Sequence, residues 1–422
     1  MAVTAPTPKP TGSARPPVLA AFTAARGPDP YPTYRAIRES DPLAGTDLGN
    51  SRITLVSRHD HAGTVLADPS FGHGYKEKIS PFRPDGDSAD GLESLLRTDP
   101  PDHTRLRRLV SRAFTPSVLA GLAPDLTVYA NELLDAALTA GDVDAVESLA
   151  RPIPLRMICR LLGVPRADEP SFSTWAAILI RGIDPDFLQT PEEIDARRRA
   201  ARELDDYFRQ LISRLRAAPG DDLVSQLVTV HLEEEALTGS EVLALCAVLL
   251  VAGLETTVNL ISGGIRALAL HPDQQALLRA DPRLVPAAVE EMLRYDPPVQ
   301  FIPRTVLADT ELGGRAFRRG EGMLVVTGSA NRDPEVFAEP DRFLVTRYAG
   351  AAPAARHHTF GLGIHYCLGA PLARMEAEII FRLLLVRTAE FTLAPSTPAY
   401  LPQSIIRGLA DLPLQLTARA TP

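Results

Sequence analysis

Residues 357–380 read "HHTFGLGIHYCLGAPLARMEAEII", and one of only three cysteines in the chain stands in the middle of them. Gly361 and Gly363 precede Cys367, Gly369 follows it, and His365 lies two residues before it. The residues after Cys367 have helical spacing, so the cysteine is expected at a helix N-terminus. There the helix dipole and the free N–H groups favour a thiolate. Glycines on both sides permit tight turns and close approach to a flat ligand, and N–H groups aimed at a sulfur tune a metal-bound thiolate. A lone cysteine is otherwise a small buried hydrophobe, or a nucleophile paired here with His365.

Outward from this stretch, bulk composition sets limits. The 422 residues are 45% hydrophobic and 23% charged, with 38 prolines, a globular balance with ample apolar material for a core. A net charge of −8 speaks against a global nucleic-acid role and leaves basic surface only locally. Cys159, Cys246 and Cys367 are too few and too scattered for a disulfide framework or a zinc cluster, which suits a reducing cytoplasm. Lysine occurs only at positions 9, 76 and 78 among 44 Lys and Arg residues. With much Ala and Pro, that skew points to a GC-rich genome such as an actinobacterium's.

Residues 1–17, rich in Pro, Thr and Ala, read as a disordered tail and lack the pattern of a signal peptide. The longest apolar run, "VLALCAVLLVAGL" at 242–254, is shorter than the roughly 20 residues a membrane span needs. It reads as a buried helix, and the chain as a soluble, cytoplasmic protein with no membrane partner. Length alone, at roughly 150 residues per domain, suggests two or three domains. No linker divides the chain, so residues 18–422 are taken as a single domain.

Helical periodicity dominates. Helices are expected at 30–40, from Pro101, and at 117–137, 154–163, 168–182, 190–217, 221–231, 240–270, 273–280 and 284–295, with a last one from Cys367 or just after. A strand at 51–57, Gly-punctuated β-like runs at 303–329 and short closing strands make up the rest. The fold class is mainly α with a minor β part. Residues 72–96 form a Gly/Pro/Asp-rich loop of a length that is usually functional.

Four further stretches carry chemistry. In "VAGLETTVN", 251–259, Gly253 weakens a helix by about 1 kcal/mol relative to Ala, and Thr256 can turn its hydroxyl to the carbonyl of Ala252 and loosen the ladder. The groove that results would admit a diatomic ligand, with the titratable Glu255 beside it. In "EEMLR", 290–294, Glu291 and Arg294 lie one turn apart, a spacing worth only about 0.2–0.5 kcal/mol on a surface; Glu290 could equally pair with Arg294. In "DHTRLRRL", 102–109, His103 and Arg107 share a helix face and could clamp a carboxylate. "FIPRT", 301–305, adds Arg304.

With these residues in view, the chain resembles the cytochrome P-450 superfamily, the haem-thiolate monooxygenases, whose soluble bacterial members carry a loop similar to "FGLGIHYCLGAPLAR". The resemblance implies a triangular helical prism enclosing haem b (iron protoporphyrin IX) between the helix at 240–270 and the one near Cys367. It makes Cys367 the axial ligand to the iron, a position in which a thiolate donates electron density for O–O cleavage. Gly361, Gly363 and Gly369 become the haem-loop glycines, Phe360 packs near the sulfur, and His103, Arg107, Arg304 and His365 hold the propionates. Thr256, with Ala252, forms the oxygen-binding groove, and Glu255 is part of its proton relay. Glu291 and Arg294 become a buried structural pair joined by an arginine from a later loop, which "EPDRF" supplies as Arg342. Two positions depart from common forms of the pattern: Leu254 stands where many bacterial relatives have histidine, and Leu344 where many have aspartate.

The implied reaction is oxygenation of an unreactive carbon, a hydroxylation or an epoxidation. It uses O2 and electrons from a ferredoxin with its NAD(P)H-dependent reductase, on a monomeric enzyme. A peroxide-driven peroxygenase would be expected to lack the Glu255–Thr256 pair. A non-catalytic haem-fold partner protein would lack Cys367 or Thr256, and a gas sensor would carry an output domain. Leu250, Leu254, Val299, Phe301, Ile405 and Ile406 suggest an apolar pocket for an apolar small molecule, a polyketide or macrolide type of secondary metabolite. A terpenoid, a fatty acid or a carrier-bound amino acid would also fit. Arg105, Arg108 and Arg112 fall on one helical stripe, a local basic patch where the family's electron donors dock.

Overall fold

The computed structural model describes residues 15–48, 51–82, 95–111, 114–185, 188–229 and 237–419. Residues 1–14 of the expected tail lie outside this set, as do 83–94 of the long loop, and Pro17 already opens the first helix. Two helices lead, α1 (Pro17–Ala25) and α2 (Tyr31–Ser40), followed by β1 (Gly45–Leu48), β2 (Ser51–Val56), α3 (His59–Ala67) and β3 (Phe71–Gly72). A helical stretch comes next: α4 (Asp102–Ser111), α5 (Pro116–Ala140), the short β4 (Asp142–Asp144), α6 (Pro152–Leu161), α7 (Glu169–Leu179), α8 (Pro191–Ala217), α9 (Leu223–Thr229), α10 (Gly239–Leu270), α11 (Pro272–Ala280) and α12 (Val285–Tyr295). Four strands follow, β5 (Phe301–Val306), β6 (Thr310–Leu312), β7 (Arg315–Phe317) and β8 (Gly322–Val326). The short α13 (Thr327–Ala330), α14 (Ala370–Arg387), β9 (Thr388–Leu393) and β10 (Pro413–Ala418) complete the order. The mainly helical expectation holds, and the expected helices fall within a few residues of those observed.

Local chemistry sets the helix boundaries. Thr190 and Thr238 each form a reciprocal capping box with the glutamate three residues on, Glu193 and Glu241, which satisfies N–H and side-chain groups at the first turn. Behind its cap, α10 runs for 32 residues and packs against α6, α7, α8, α12 and α14. Its apolar stretch is long enough to cross a membrane by length and composition, yet 72% of that window is buried inside the protein. Each large apolar side chain so buried contributes about 1.5–3 kcal/mol, which makes α10 the central helix of the core.

One five-stranded sheet, ordered β1-β2-β8-β5-β3, stands beside the helices, with β2 and β8 parallel and the other pairs antiparallel. A second apolar cluster, with Val56, Phe71, Val306 and Met323 among its members, packs against this sheet. The register pairs Phe71 with Val306 and Gly72 with Thr305. Continued by one residue, it sets His73 opposite Arg304.

Behind the sheet, Glu291 and Arg294 of α12 are fully buried. The Arg294 guanidinium donates to both Glu291 oxygens at 2.7 and 2.8 Å and to the carbonyls of Asn331, Pro340 and Arg342 at 2.8–3.1 Å. The third member of this network is Arg347 and not the expected Arg342: Arg347 Nε lies 3.1 and 3.0 Å from the two Glu291 oxygens. Arg342 turns its guanidinium outward to Glu339 and contributes only its carbonyl. Glu290, the alternative partner for Arg294, instead takes Arg374 and His357. Glu291 also accepts the N–H of Leu344 at 2.9 Å, a bond that any residue at that position could supply.

Removing one member of a buried charge network leaves the others uncompensated, at about 3–5 kcal/mol. Arg347→Ala is therefore expected to lower stability by about that amount in urea unfolding, while Arg342→Ala leaves the midpoint unchanged. The reverse order would return the structural role to Arg342.

Candidate functional site

Cys367 lies two residues before Gly369, the N-cap of α14, so the helix begins later than the cysteine. The loop closes through a bond from the Cys367 N–H to the Phe360 carbonyl at 2.9 Å. Gly361 and Gly363 take φ of +68° and +66°, where an L side chain is strained, and a Cβ on Gly363 would come within 2.9 Å of the Leu66 carbonyl of α3. Gly369 is different: its φ is −80°, and a Cβ there would meet only the Cys367 sulfur, at an ordinary 3.9 Å. Cys367 keeps accessible surface although its surroundings are crowded enough to shift the thiol. Burial pushes the thiol up, against the N–H of Gly369, the Arg107 cation, the N–H of Ala370 and the Arg374 cation. Phe360 is partly buried, with the Arg374 guanidinium 4.6 Å from its ring centre. Cys159 and Cys246 are fully buried core residues.

On α10 the Thr256 hydroxyl donates to the Ala252 carbonyl at 2.6 Å, as its spacing predicts. Ala252, Gly253 and Thr256 keep part of their surface on a helix otherwise mostly buried at this level. Gly253 also lets Ile158 of α6 come close, 3.2 Å from where a Cβ would stand. Glu255 is buried and does not stand free: Arg151 Nη1 donates to it at 2.6 Å. Arg151 also reaches the exposed Glu147 at 3.0 Å, so a Glu147–Arg151–Glu255 chain runs from the surface to the side of the Thr256 groove. The Arg151–Glu255 contact has no local signal in the sequence, because the two residues lie 104 positions apart.

A third group gathers cationic and imidazole side chains beside the cysteine loop. His103 and Arg107 of α4, Arg304 of β5 and His365 come together as expected, and His73 and Asp99, which the sequence reading passed over, join them. The His103 and His365 ring centres are 4.2 Å apart, and those of His73 and His365 are 4.7 Å apart. Both nitrogens of His103, Nε2 of His365 and Nε of Arg304 are buried without a hydrogen-bond partner among the described residues. Burial, with the Arg304, His103 and Arg107 charges, pushes the His365 imidazole down to about 3, and burial, opposed by Asp99 and Tyr75, pushes the Arg304 guanidinium down to about 10. His103 is lowered too, mainly by burial and then by Arg107. Unpaired buried donors are costly, and this set is matched by an acidic ligand. Arg107 departs in part: its Nη2 donates to the Tyr366 carbonyl at 2.6 Å, next to Cys367, which ties α4 to the cysteine loop.

Several expected positions lie elsewhere. Leu250 and Leu254 are fully buried; each sits two residues, about 200° of helix, from Ala252, so they face the core and not the groove. Phe301 is also fully buried, edge-on to Phe22 and Tyr34 at 5.0 and 5.9 Å. Ile405 and Ile406 are nearly buried, Ile406 bridging to Val299, and Val299 keeps accessible surface. Arg105 is not part of a free basic stripe, because it pairs with Glu241 at the start of α10. Arg108 is exposed, and Arg112 lies outside the described residues.

Comparison with known proteins agrees with this geometry. The sequence model described as Cytochrome P450 matches residues 10–399. The chain is 41% identical to the cytochrome P450 monooxygenase PikC of Streptomyces venezuelae, covering 92% of this chain and 91% of that protein. It is 35% identical to 6-deoxyerythronolide B hydroxylase of Saccharopolyspora erythraea, covering 92% and 96%. Among solved structures it resembles the bacillaene polyketide synthase P450 PksS of Bacillus subtilis, with a TM-score of 0.84 at 33% identity, covering 93% of this chain and 99% of that one.

The Arg151–Glu255 contact makes a direct test. Losing one partner of a buried pair costs about 3–5 kcal/mol, and Arg151, at 15% exposure, falls at the lower end. Arg151→Gln and Glu255→Gln should each lower stability by about 3 kcal/mol in urea unfolding, and the double variant should recover most of that loss. Additive losses would mean that the two groups do not interact.

Proposed function

This chain belongs to the cytochrome P450 family and is a haem b-binding monooxygenase, and we propose that it hydroxylates or epoxidises an apolar small molecule of the polyketide or macrolide type. The observation that carries the reading is the cluster of buried nitrogens without a hydrogen-bond partner among the described residues beside the Cys367 loop, both of His103, Nε2 of His365 and Nε of Arg304. Two carboxylate arms match these donors, and a thiol flanked by N–H groups matches an iron, so the donor set fits a haem. Cys367 would hold the iron, and His103, Arg304 and His365 the propionates, with Arg107 bracing the loop through Tyr366. The bound haem supplies O2 activation from a thiolate-ligated iron.

The chain's own residues then set the conditions. Thr256 has committed its proton to the Ala252 carbonyl and keeps its lone pairs to accept a hydrogen bond in the groove. Glu255, held by Arg151, is the proton-handling group nearest the groove in sequence, with Glu147 at the surface end of the chain. Val299, which keeps accessible surface, supports an apolar chamber. Two relatives bear on the substrate class by their names: 6-deoxyerythronolide B hydroxylase and a polyketide-biosynthesis P450.

We place the enzyme in the cytoplasm, as a single domain over residues 18–422, with a ferredoxin and its NAD(P)H-dependent reductase as electron source. Arg107 brings α4 against the cysteine loop, which leaves exposed Arg108 on the side where an acidic donor would dock. Arg108→Glu should slow reduction by a ferredoxin in stopped flow, most at low ionic strength, because steering is screened by salt. A wild-type rate at low salt would remove α4 from the docking face.

Thr256→Ala should still bind haem and substrate but divert electrons to hydrogen peroxide, lowering product formed per NADPH. Unchanged coupling would reduce Thr256 to a packing residue.

A further inference from the structure

His73 belongs to none of the stretches that carry the family resemblance, yet the structure aims it with care. Its backbone is held on both sides. The N–H donates to the two Asp99 carboxylate oxygens at 2.9 and 3.0 Å, and the carbonyl accepts the Thr305 hydroxyl at 2.9 Å. Asp99 also takes the Gly74 N–H at 2.8 Å, which fixes the turn that follows β3. The side chain is 7% exposed. Its ring lies edge-on to His365 at 4.7 Å and stacks on Tyr75 at 6.0 Å. Three backbone bonds thus position an imidazole against His365, whose Nε2 is buried without a hydrogen-bond partner among the described residues, at a spot where an unsatisfied donor is costly.

The surroundings say what would satisfy it. Arg304 of β5, His365 of the cysteine loop, His103 of α4 and Arg97 contribute positive or proton-donating groups. Asp99 is the acid facing them, and its oxygens are already engaged by the backbone N–H groups of His73 and Gly74. The complementary ligand is an anion that accepts several hydrogen bonds.

We propose that His73 is a further anchor for a carboxylate arm of the haem, reaching it from the turn after β3 beside His365. This rests on the reading of the His103, Arg304 and His365 cluster as the propionate site. Arg97 backs this anchor: its guanidinium lies 5.8 Å from the Tyr75 ring centre and donates to the Gly182 carbonyl, which joins the β3 turn to the end of α7.

The test follows haem and not turnover. Purified holoenzyme is mixed with excess apomyoglobin, and haem transfer is followed by absorbance. A hydrogen bond to a charged group is worth about 1.5–3 kcal/mol, so His73→Phe, which keeps the ring stacking but no donor, should release haem about tenfold faster. His73→Gln, which keeps an N–H donor, should stay within about twofold of wild type. Apoprotein unfolding midpoints should be unchanged in both. His73→Leu serves in the same way if the phenylalanine variant does not fold. Wild-type release from the donor-less variant overturns the proposal, and so does faster release matched by equal loss of apoprotein stability. His103→Leu separates the two readings. If it speeds release while His73→Phe does not, only the His73 anchor falls; if neither changes release, the whole cradle falls with it.

Discussion

The buried contact between Glu291, Arg294 and Arg347 is the constraint on which the cysteine loop depends. A fully buried ion pair contributes little net stability by itself, but its position has structural consequences. Arg294 holds the carbonyls of Asn331, Pro340 and Arg342, which fixes the irregular segment between α13 and the haem loop. Asn331 then takes the His358 N–H at 2.8 Å and donates to the Thr359 hydroxyl at 2.9 Å, while Thr359 bonds back to the Leu293 carbonyl of α12 at 2.6 Å. One residue further, Phe360 accepts the N–H of Cys367. An unbroken set of hydrogen bonds therefore runs from a buried carboxylate to the backbone that presents the thiol.

Two other walls stand around this loop. The edge of the five-stranded sheet brings His73 and Arg304 to His365, and α10, which carries the Thr256 groove, packs on α14, the helix that follows the loop. Each wall carries polar groups that a plain apolar core would exclude. Glu255 is matched inside the protein by Arg151, whereas both nitrogens of His103, Nε2 of His365 and Nε of Arg304 have no hydrogen-bond partner among the described residues; the nearest acid, Asp99, stands 3.9 Å from His365 Nε2. That difference separates a structural charge pair from a binding site. The first kind is complete in the folded chain, and the second reaches its lowest energy only with an acidic ligand in place.

How much of this could be read from the sequence depended on whether the interacting groups were local. The Thr256–Ala252 bond, the glycines of the cysteine loop and the length of α10 are all properties of short windows, and each was legible. The mainly α class followed from periodicity. The arginine that completes the Glu291 network was misassigned because Arg342 and Arg347 lie five residues apart in an irregular segment, where no periodicity says which one turns inward. The Arg151–Glu255 contact and the setting of His73 were passed over because the groups involved come from distant parts of the chain. Leu250 and Leu254 were placed on the wrong side of α10 because apolar content was read without the 100° step between successive residues. Arg105 was counted as free because nothing local pairs it with Glu241.

The central claim is that Cys367, presented by this hydrogen-bonded loop, ligates a haem iron as a thiolate. The carbon monoxide difference spectrum of the dithionite-reduced protein tests it most directly, measured on the wild type and on Cys367→Ser, Cys159→Ser and Cys246→Ser. The account predicts the red-shifted thiolate band in the wild type and in the variants of the two buried core cysteines, and its loss in Cys367→Ser alone. An unshifted band in the wild type, or a red-shifted band that survives Cys367→Ser, would contradict it.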